Sequence, residues 1–237
     1  MDSLNPPFLL SKLYNKLKYK FDWEIKKKVV DIILQKRLKN KDFAIVSNNC
    51  WGGGVYQVLR LPYNTPFVGL YINAPCYIKL LKNFEFYLNC ELEFTNASRY
   101  GQHQSKKYPV GFLNNEVEIH FLHYKSEKEA FEKWNRRKKK LPKDINSIFF
   151  KFDDRDHCTP ELIKDFHALP YKNLISFTKT KYNYQNNFKL KDPADLILFD
   201  TTHNLVDIVE WLNMKQATTG SAIFKSLRFI GYPKKFN

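Results

Sequence analysis

Residues 43–60 read FAIVSNNCWGGGVYQVLR, and this stretch sets the frame for everything around it. Phe43 to Val46 is an apolar run of strand length, Ser47 to Gly54 is a turn of small polar residues and consecutive glycines, and Val55 to Arg60 resumes as a short helix. A strand that runs through a polar turn into a helix is the opening of an α/β unit, because parallel strands need a long crossover to return the chain to the same edge.

Outward from that stretch the alternation continues. Further strands are expected at Phe67 to Ile72, Val117 to Tyr124, Ile148 to Phe152, Leu174 to Phe177 and Leu196 to Phe199. Helices are expected at Pro75 to Asn89, after Ser126-Glu127-Lys128-Glu129 through Lys140, at Glu161 to Leu169 behind Thr159-Pro160, and at His203 to Met214. The expected fold is α/β, a three-layer sandwich with a largely parallel or mixed sheet, Rossmann-like, preceded by an amphipathic helix. In that helix Leu13, Leu17, Phe21, Ile25, Val29, Ile32 and Ile33 form the apolar face, with Lys16, Lys20, Lys27 and Lys28 opposite and a break near Asp22. Residues 1–41 form this basic segment and residues 42–237 a single α/β domain.

The chain has 237 residues, 43% hydrophobic and 16% aromatic, with a formal net charge of +15. That aromatic content excludes a disordered class, and no apolar run approaches the ~18–20 residues that span a bilayer as a helix. Met1 to Leu10 lacks a basic n-region and a cleavage site, and Cys50, Cys76, Cys90 and Cys158 form no CxxC pair. A reducing cytoplasm with free thiols is expected, peripheral at the inner face of the membrane if the basic helix docks there. The cations are mostly lysine, a bias that an A/T-rich genome would impose, but Lys26–Lys28 and Arg136–Lys140 are concentrated blocks. They suit an anionic surface, and nucleic acid is not expected because no recognised binding motif accompanies them.

In an open parallel sheet, ligands bind beyond the carboxyl ends of the strands. The unusual polar residues gather there. Cys50 is a candidate nucleophile with Ser47 competing, and Asn48, Asn49, Trp51, Gly52 and Gly53 surround an oxyanion or phosphate position. The same loop also fits a tight turn around a structural cysteine. Asp154 and Asp156 match an acidic pair that holds Mg²⁺ or Mn²⁺ against a diphosphate, with Arg155 between them, or else a solvated turn before the Thr159 cap. His120 and His123 on a strand would face opposite ways, so a shared metal is not favoured. His203 follows Asp200 at a spacing suited to acid–base work, and Arg136 and Arg137 can hold a phosphate or carboxylate.

Five segments in order, SNNCWGG (47–53), YNTPFVGL (63–70), HFLHY (120–124), WNRR (134–137) and KFDDRD (151–156), resemble a bacterial domain-of-unknown-function family whose members are called exopolysaccharide or capsular polysaccharide biosynthesis proteins. The resemblance covers Asp42 to Met214 and implies a cytoplasmic protein of surface-glycan biosynthesis. The start of the motif series is similar to capsule acetyltransferase-like proteins related to SGNH hydrolases. It implies an O-acyltransferase with acetyl-CoA as donor and a polysaccharide or lipid-linked glycan as acceptor. In that reading Cys50 or Ser47 meets the acyl group, His120, His123 or His203 is the base, and Arg136 and Arg137 bind CoA phosphates. A metal-dependent glycosyl- or sugar-phosphate transferase is the alternative. A non-catalytic module working with capsule assembly proteins is the third reading.

Overall fold

In the computed structural model, which describes residues 6–101, 108–190 and 205–213, the apolar runs become strands of a mixed α/β protein. The elements are α1 (Pro6–Arg37), β1 (Ala44–Ser47), α2 (Trp51–Leu59), α3 (Ala74–Lys82), α4 (Phe84–Asn89), β2 (Leu92–Thr95), β3 (Val110–Leu113) and β4 (Val117–His120). They continue with α5 (Glu127–Lys138), β5 (Ile148–Asp153), α6 (Pro160–His167), β6 (Leu174–Thr178), β7 (Asn187–Lys189) and α7 (Ile208–Leu212). Among the described strands, β1-β5-β6-β7 form a four-stranded sheet in which every pair is parallel, and β2-β3-β4 form a three-stranded antiparallel sheet. No helix of the described residues is long and apolar enough to cross a membrane.

Side-chain alternation along the central strands separates two cores. Ala44, Val46, Phe150 and Phe152 point to one face and pack with α3, α4, α6 and the antiparallel sheet, while Ile45, Phe149, Ile175 and Phe177 pack with α2, α7 and the last turns of α1. Tyr77 from α3 places its hydroxyl 2.9 Å from the Val46 carbonyl and 3.0 Å from the Lys151 carbonyl, joining β1 to β5 from beneath. The run at Phe67 to Ile72 is coil, with one antiparallel bridge from Tyr71 to His120, because Gly69 turns into the left-handed region at φ +73° and breaks the extended path. The helix expected from Pro75 to Asn89 divides at Asn83, whose φ of −135° is not helical. Strands β2, β3 and β7 are additional, and Leu196 to Phe199 lies outside the described residues.

Two caps form as their residues dictate. Ser126 Oγ accepts from the Glu129 amide at 3.2 Å, and Thr159 Oγ1 accepts from the Leu162 amide at 3.4 Å ahead of Pro160. Glu129 reaches back to the amide of Lys125, one residue earlier than the simplest capping box. On α1 the buried stripe is Val30 and Leu34, followed by Leu38 just past the helix end, whereas Phe21, Ile25, Val29 and Ile32 are exposed. The apolar spacing read along this helix therefore traces its outward side in the described part.

Candidate functional site

Strand β1 ends in Ser47, and Asn48 and Asn49 follow directly above β5, whose last residues are Lys151, Phe152 and Asp153. Residues two apart on a strand share a face, so Lys151 and Asp153 rise together toward the turn. They form an ion pair that is fully buried. Asp153 also accepts from both asparagine amides, from Asn48 at 3.2 Å, and from Arg155 Nε at 3.3 Å, while Lys151 Nζ donates to the side-chain oxygens of Asn48 and Asn49 at 3.3 and 3.2 Å. Burial pulls the Lys151 ammonium down to about 8 against the attraction of Asp153. Burial pushes Asp153 the other way, but the Lys151 and Arg155 charges prevail and hold its carboxyl below its usual range.

This network shapes the turn. The Asn49 side chain accepts from the Trp51 amide at 3.1 Å and starts α2, and the buried Ser47 hydroxyl donates to the Asn49 carbonyl at 2.8 Å. Trp51 is buried against Phe177, with the Lys151 ammonium 5.9 Å from its ring. Gly52 lies in the first turn of α2 because a Cβ there would come within 3.0 Å of Ile45. The helix thus opens with small residues whose first amides have no acceptor within the helix, an arrangement that favours an anion.

Beside that opening lies a cavity of about 480 Å³. Cys50, Gly53 and Gly54 form one wall, and Tyr63, Val68 and Gly69 a second. His123, Tyr124, Lys133 and Arg137 close the far side, with Lys27 of α1 at the edge. Gly69 is required here twice over: its φ is +73°, and a Cβ would stand 3.2 Å from His123 and 3.3 Å from Tyr124. The Gly69 carbonyl accepts from the His123 amide at 3.0 Å, and the Tyr124 hydroxyl donates to the Val68 carbonyl at 2.6 Å. Arg137 donates to that same hydroxyl at 2.7 Å and covers the Tyr63 ring at 4.9 Å. Cys50 caps α2 without a side-chain cap bond, its thiol directed to the Leu70 carbonyl at 3.8 Å, and burial pushes the thiol pKa up despite Arg155 and Lys151.

The other expected site residues lie elsewhere. His120 is buried at the end of β4, where its Nε2 meets Glu118 at 2.7 Å and its ring stacks on Tyr71 at 4.4 Å. Asp154 accepts from the Lys179 amide at 2.7 Å, and burial raises its pKa. Asp156 is exposed at φ +53°, its carbonyl bonded to the Ala74 amide at 2.9 Å. Arg136 is exposed on α5, one position away from the cavity-lining Arg137. His203 lies outside the described residues. Among the described residues no three His, Cys, Asp or Glu side chains gather as ligands for a metal. Lys151, Gly69 and Lys133 are site residues that the sequence reading did not select, although a lysine inside an apolar strand needs a counter-charge and Asp153 stands two residues on.

A family model described as "Domain of unknown function (DUF1919)" matches residues 22–232. An uncharacterized protein of Haemophilus influenzae is 34% identical over 192 residues, covering 76% of this chain and 88% of its own length.

Proposed function

The chain belongs to the DUF1919 family, and we propose that the cavity beside Cys50 is the site of a surface-glycan biosynthesis transferase that moves an acetyl group from acetyl-CoA to a polysaccharide or its precursor. The observation that carries the reading is the convergence of four distant segments, 47–53, 63–70, 120–124 and 134–137, on one cavity that holds a histidine, an arginine and a helix opening.

Each group has a task that its chemistry suits. Arg137, with Lys133 and Lys27, neutralises the donor phosphates or an anionic glycan. His123 is the general base: it takes the proton of the acceptor hydroxyl as that oxygen attacks the thioester carbonyl. The new C–O bond forms, the C–S bond breaks, and the proton passes from His123 to the departing thiolate. The developing oxyanion faces the Gly53 amide in the first turn of α2. Cys50, kept neutral by burial, forms part of the wall, and no covalent acyl-enzyme is needed. Ser47, Asn48 and Asn49 hold the turn through Lys151 and Asp153.

The metal-dependent glycosyl- or sugar-phosphate transferase has less support from the geometry. Asp154 is engaged by Lys179, Asp156 is turned outward, and neither lines the cavity. The donor set does not fit Mg²⁺ or Mn²⁺, and no step is derived through either ion. A Rossmann-like sheet, a cytoplasmic location at the inner face of the membrane, and association with capsule assembly proteins belong to the same proposal. A lipid-linked glycan remains an acceptor of the right chemistry.

Acetyl transfer is read as CoA released from acetyl-CoA by the purified protein in the presence of de-acetylated capsular polysaccharide. His123→Ala is expected to lower the rate by about 10²–10⁴-fold. Cys50→Ala is expected to leave it within a few-fold, which separates direct transfer from a covalent route. No acceptor-dependent CoA release, together with unchanged polymer acetylation in a deletion strain, would falsify the acyl-transfer reading.

A further inference from the structure

A second cavity, of about 620 Å³, lies at the amino ends of β5 and β6, the opposite end of the sheet from Cys50. Phe84 and Ile148 form its base and belong to the main core, with Leu88, Leu141 and Tyr171 half-buried around them. The Tyr171 hydroxyl is committed to the Leu81 carbonyl at 2.6 Å and its ring stacks on Phe150 at 4.4 Å, so it offers the cavity little hydrogen bonding. Lys138, Lys139 and Lys143 stand at the rim with a single carboxylate, Glu85. None of these three lysines has an ion pair with a described residue. Ile145, 40% exposed, extends the apolar surface outward.

An apolar base under a cationic rim selects a ligand with the same division. A sugar chain needs many hydrogen-bonding partners at its hydroxyls, and apart from Tyr171, whose hydroxyl is taken by Leu81, Asn89 is the only uncharged polar side chain in the lining. A bare anion would find the lysines but gain nothing from Leu88, Leu141 and Tyr171. We propose that this cavity binds one molecule of a single-chain anionic amphiphile, its alkyl chain over Phe84, Leu88 and Leu141 and its phosphate or carboxylate at Lys138, Lys139 and Lys143. The volume is within the range of small-molecule sites, about 300–1,000 Å³. The assignment does not rest on the transferase reading, because the two cavities share no lining residue.

The test is calorimetric titration of the full chain with dodecyl phosphate below its micelle concentration, against inorganic phosphate and dodecyl maltoside. Dodecyl phosphate is expected to bind one to one, and each control at least tenfold more weakly. The double variant Lys139→Glu/Lys143→Glu and the single variant Leu141→Gln are each expected to weaken dodecyl phosphate at least tenfold. Arg137→Ala, which alters the other cavity, should leave it within twofold. If the double variant melts early, Lys143→Gln serves in its place with a smaller expected loss. The proposal is overturned if inorganic phosphate binds as tightly, if the lysine variants change nothing, or if only vesicles of anionic phospholipid are bound and the monomeric amphiphile is not.

Discussion

At the carboxyl ends of β1 and β5 the strands run into Asn48, Asn49, Lys151 and Asp153, all buried and bonded to one another, whereas at the amino ends of β5 and β6 Ile148 meets Phe84 of α4 and Tyr171 of the α6–β6 connection beneath free-standing lysines. Both ends carry a cavity and both carry cations. At the carboxyl end the charge is inside the protein and compensated, so each partner depends on the others. At the amino end the charge is at the surface and the floor is held by apolar packing, so a lysine can change with little effect on the fold. The same strands thus supply one rigid site and one adaptable one.

Lys151→Met is the harshest way to break this contrast. It leaves the Asp153 carboxylate buried with only Arg155 and the two amides, and removing one member of a buried pair typically costs about 3–5 kcal/mol. Urea unfolding should show a lowered midpoint at unchanged slope. The double variant Lys151→Met/Asp153→Leu should recover part of the loss, since it removes both buried charges. A single variant within 1 kcal/mol of the parent would mean that the network is not what holds the turn.

Gly69→Ala is the next in size. The left-handed backbone and the approach to His123 and Tyr124 together imply a loss of about 1–3 kcal/mol. The displaced His123 should also lower the acetyl transfer proposed for this cavity, so stability and rate should fall together. A rate that falls without any stability loss would locate the effect in the cavity shape alone.

Acid titration separates the carboxyl-end network from its neighbours on the sheet. His167 on α6 is hydrogen-bonded to Ser176 at 2.8 Å and stacked on Tyr184, and burial lowers its pKa from 6.5 to about 4. Between those values the unfolded chain binds a proton that the folded chain does not, so stability falls as pH drops from 6.5 to about 4. Asp153 has a depressed pKa, so its contribution is present above 3.8 and is lost as pH falls below that. His167→Phe should flatten the first limb and leave the second. If the first limb survives the substitution, His167 is not its source.

Much of this contrast is legible in the sequence, and its gaps have physical causes. FAIV followed by SNNCWGGG, and IFFKFD followed by DRD, mark two buried strands and their carboxyl-end turns through composition alone. Phe67 to Ile72 has the same composition but not the same structure, because the left-handed turn at Gly69 depends on His123 and Tyr124, which arrive from far along the chain. Strands β3 and β4 are short, but Asn114-Asn115 between them, with φ of 50° and 47°, is a readable hairpin signal. His120 and His123 separate not by strand parity, since the expected strand to Tyr124 ends at His120, but because the turn that follows carries His123 to Cys50's cavity. The amino-end cavity has no motif, since apolar residues from α4, the α5–β5 connection and β5 meet there only after folding.

The smallest expected effect is at the lysine rim, and it tests the other half of the contrast. Lys139 and Lys143 are exposed and lie beyond the carboxyl end of α5, so they contribute to the fold only through the screened end of a helix dipole and mutual repulsion. These two terms oppose each other: reversal to glutamate loses the dipole interaction but relieves the crowding with Lys138 and Lys140. The double variant Lys139→Glu/Lys143→Glu should therefore unfold within about 0.5 kcal/mol of the parent at physiological salt. A loss as large as that of Lys151→Met would show that the rim is part of the structural frame, and the division of the sheet into a rigid end and an adaptable end would fail.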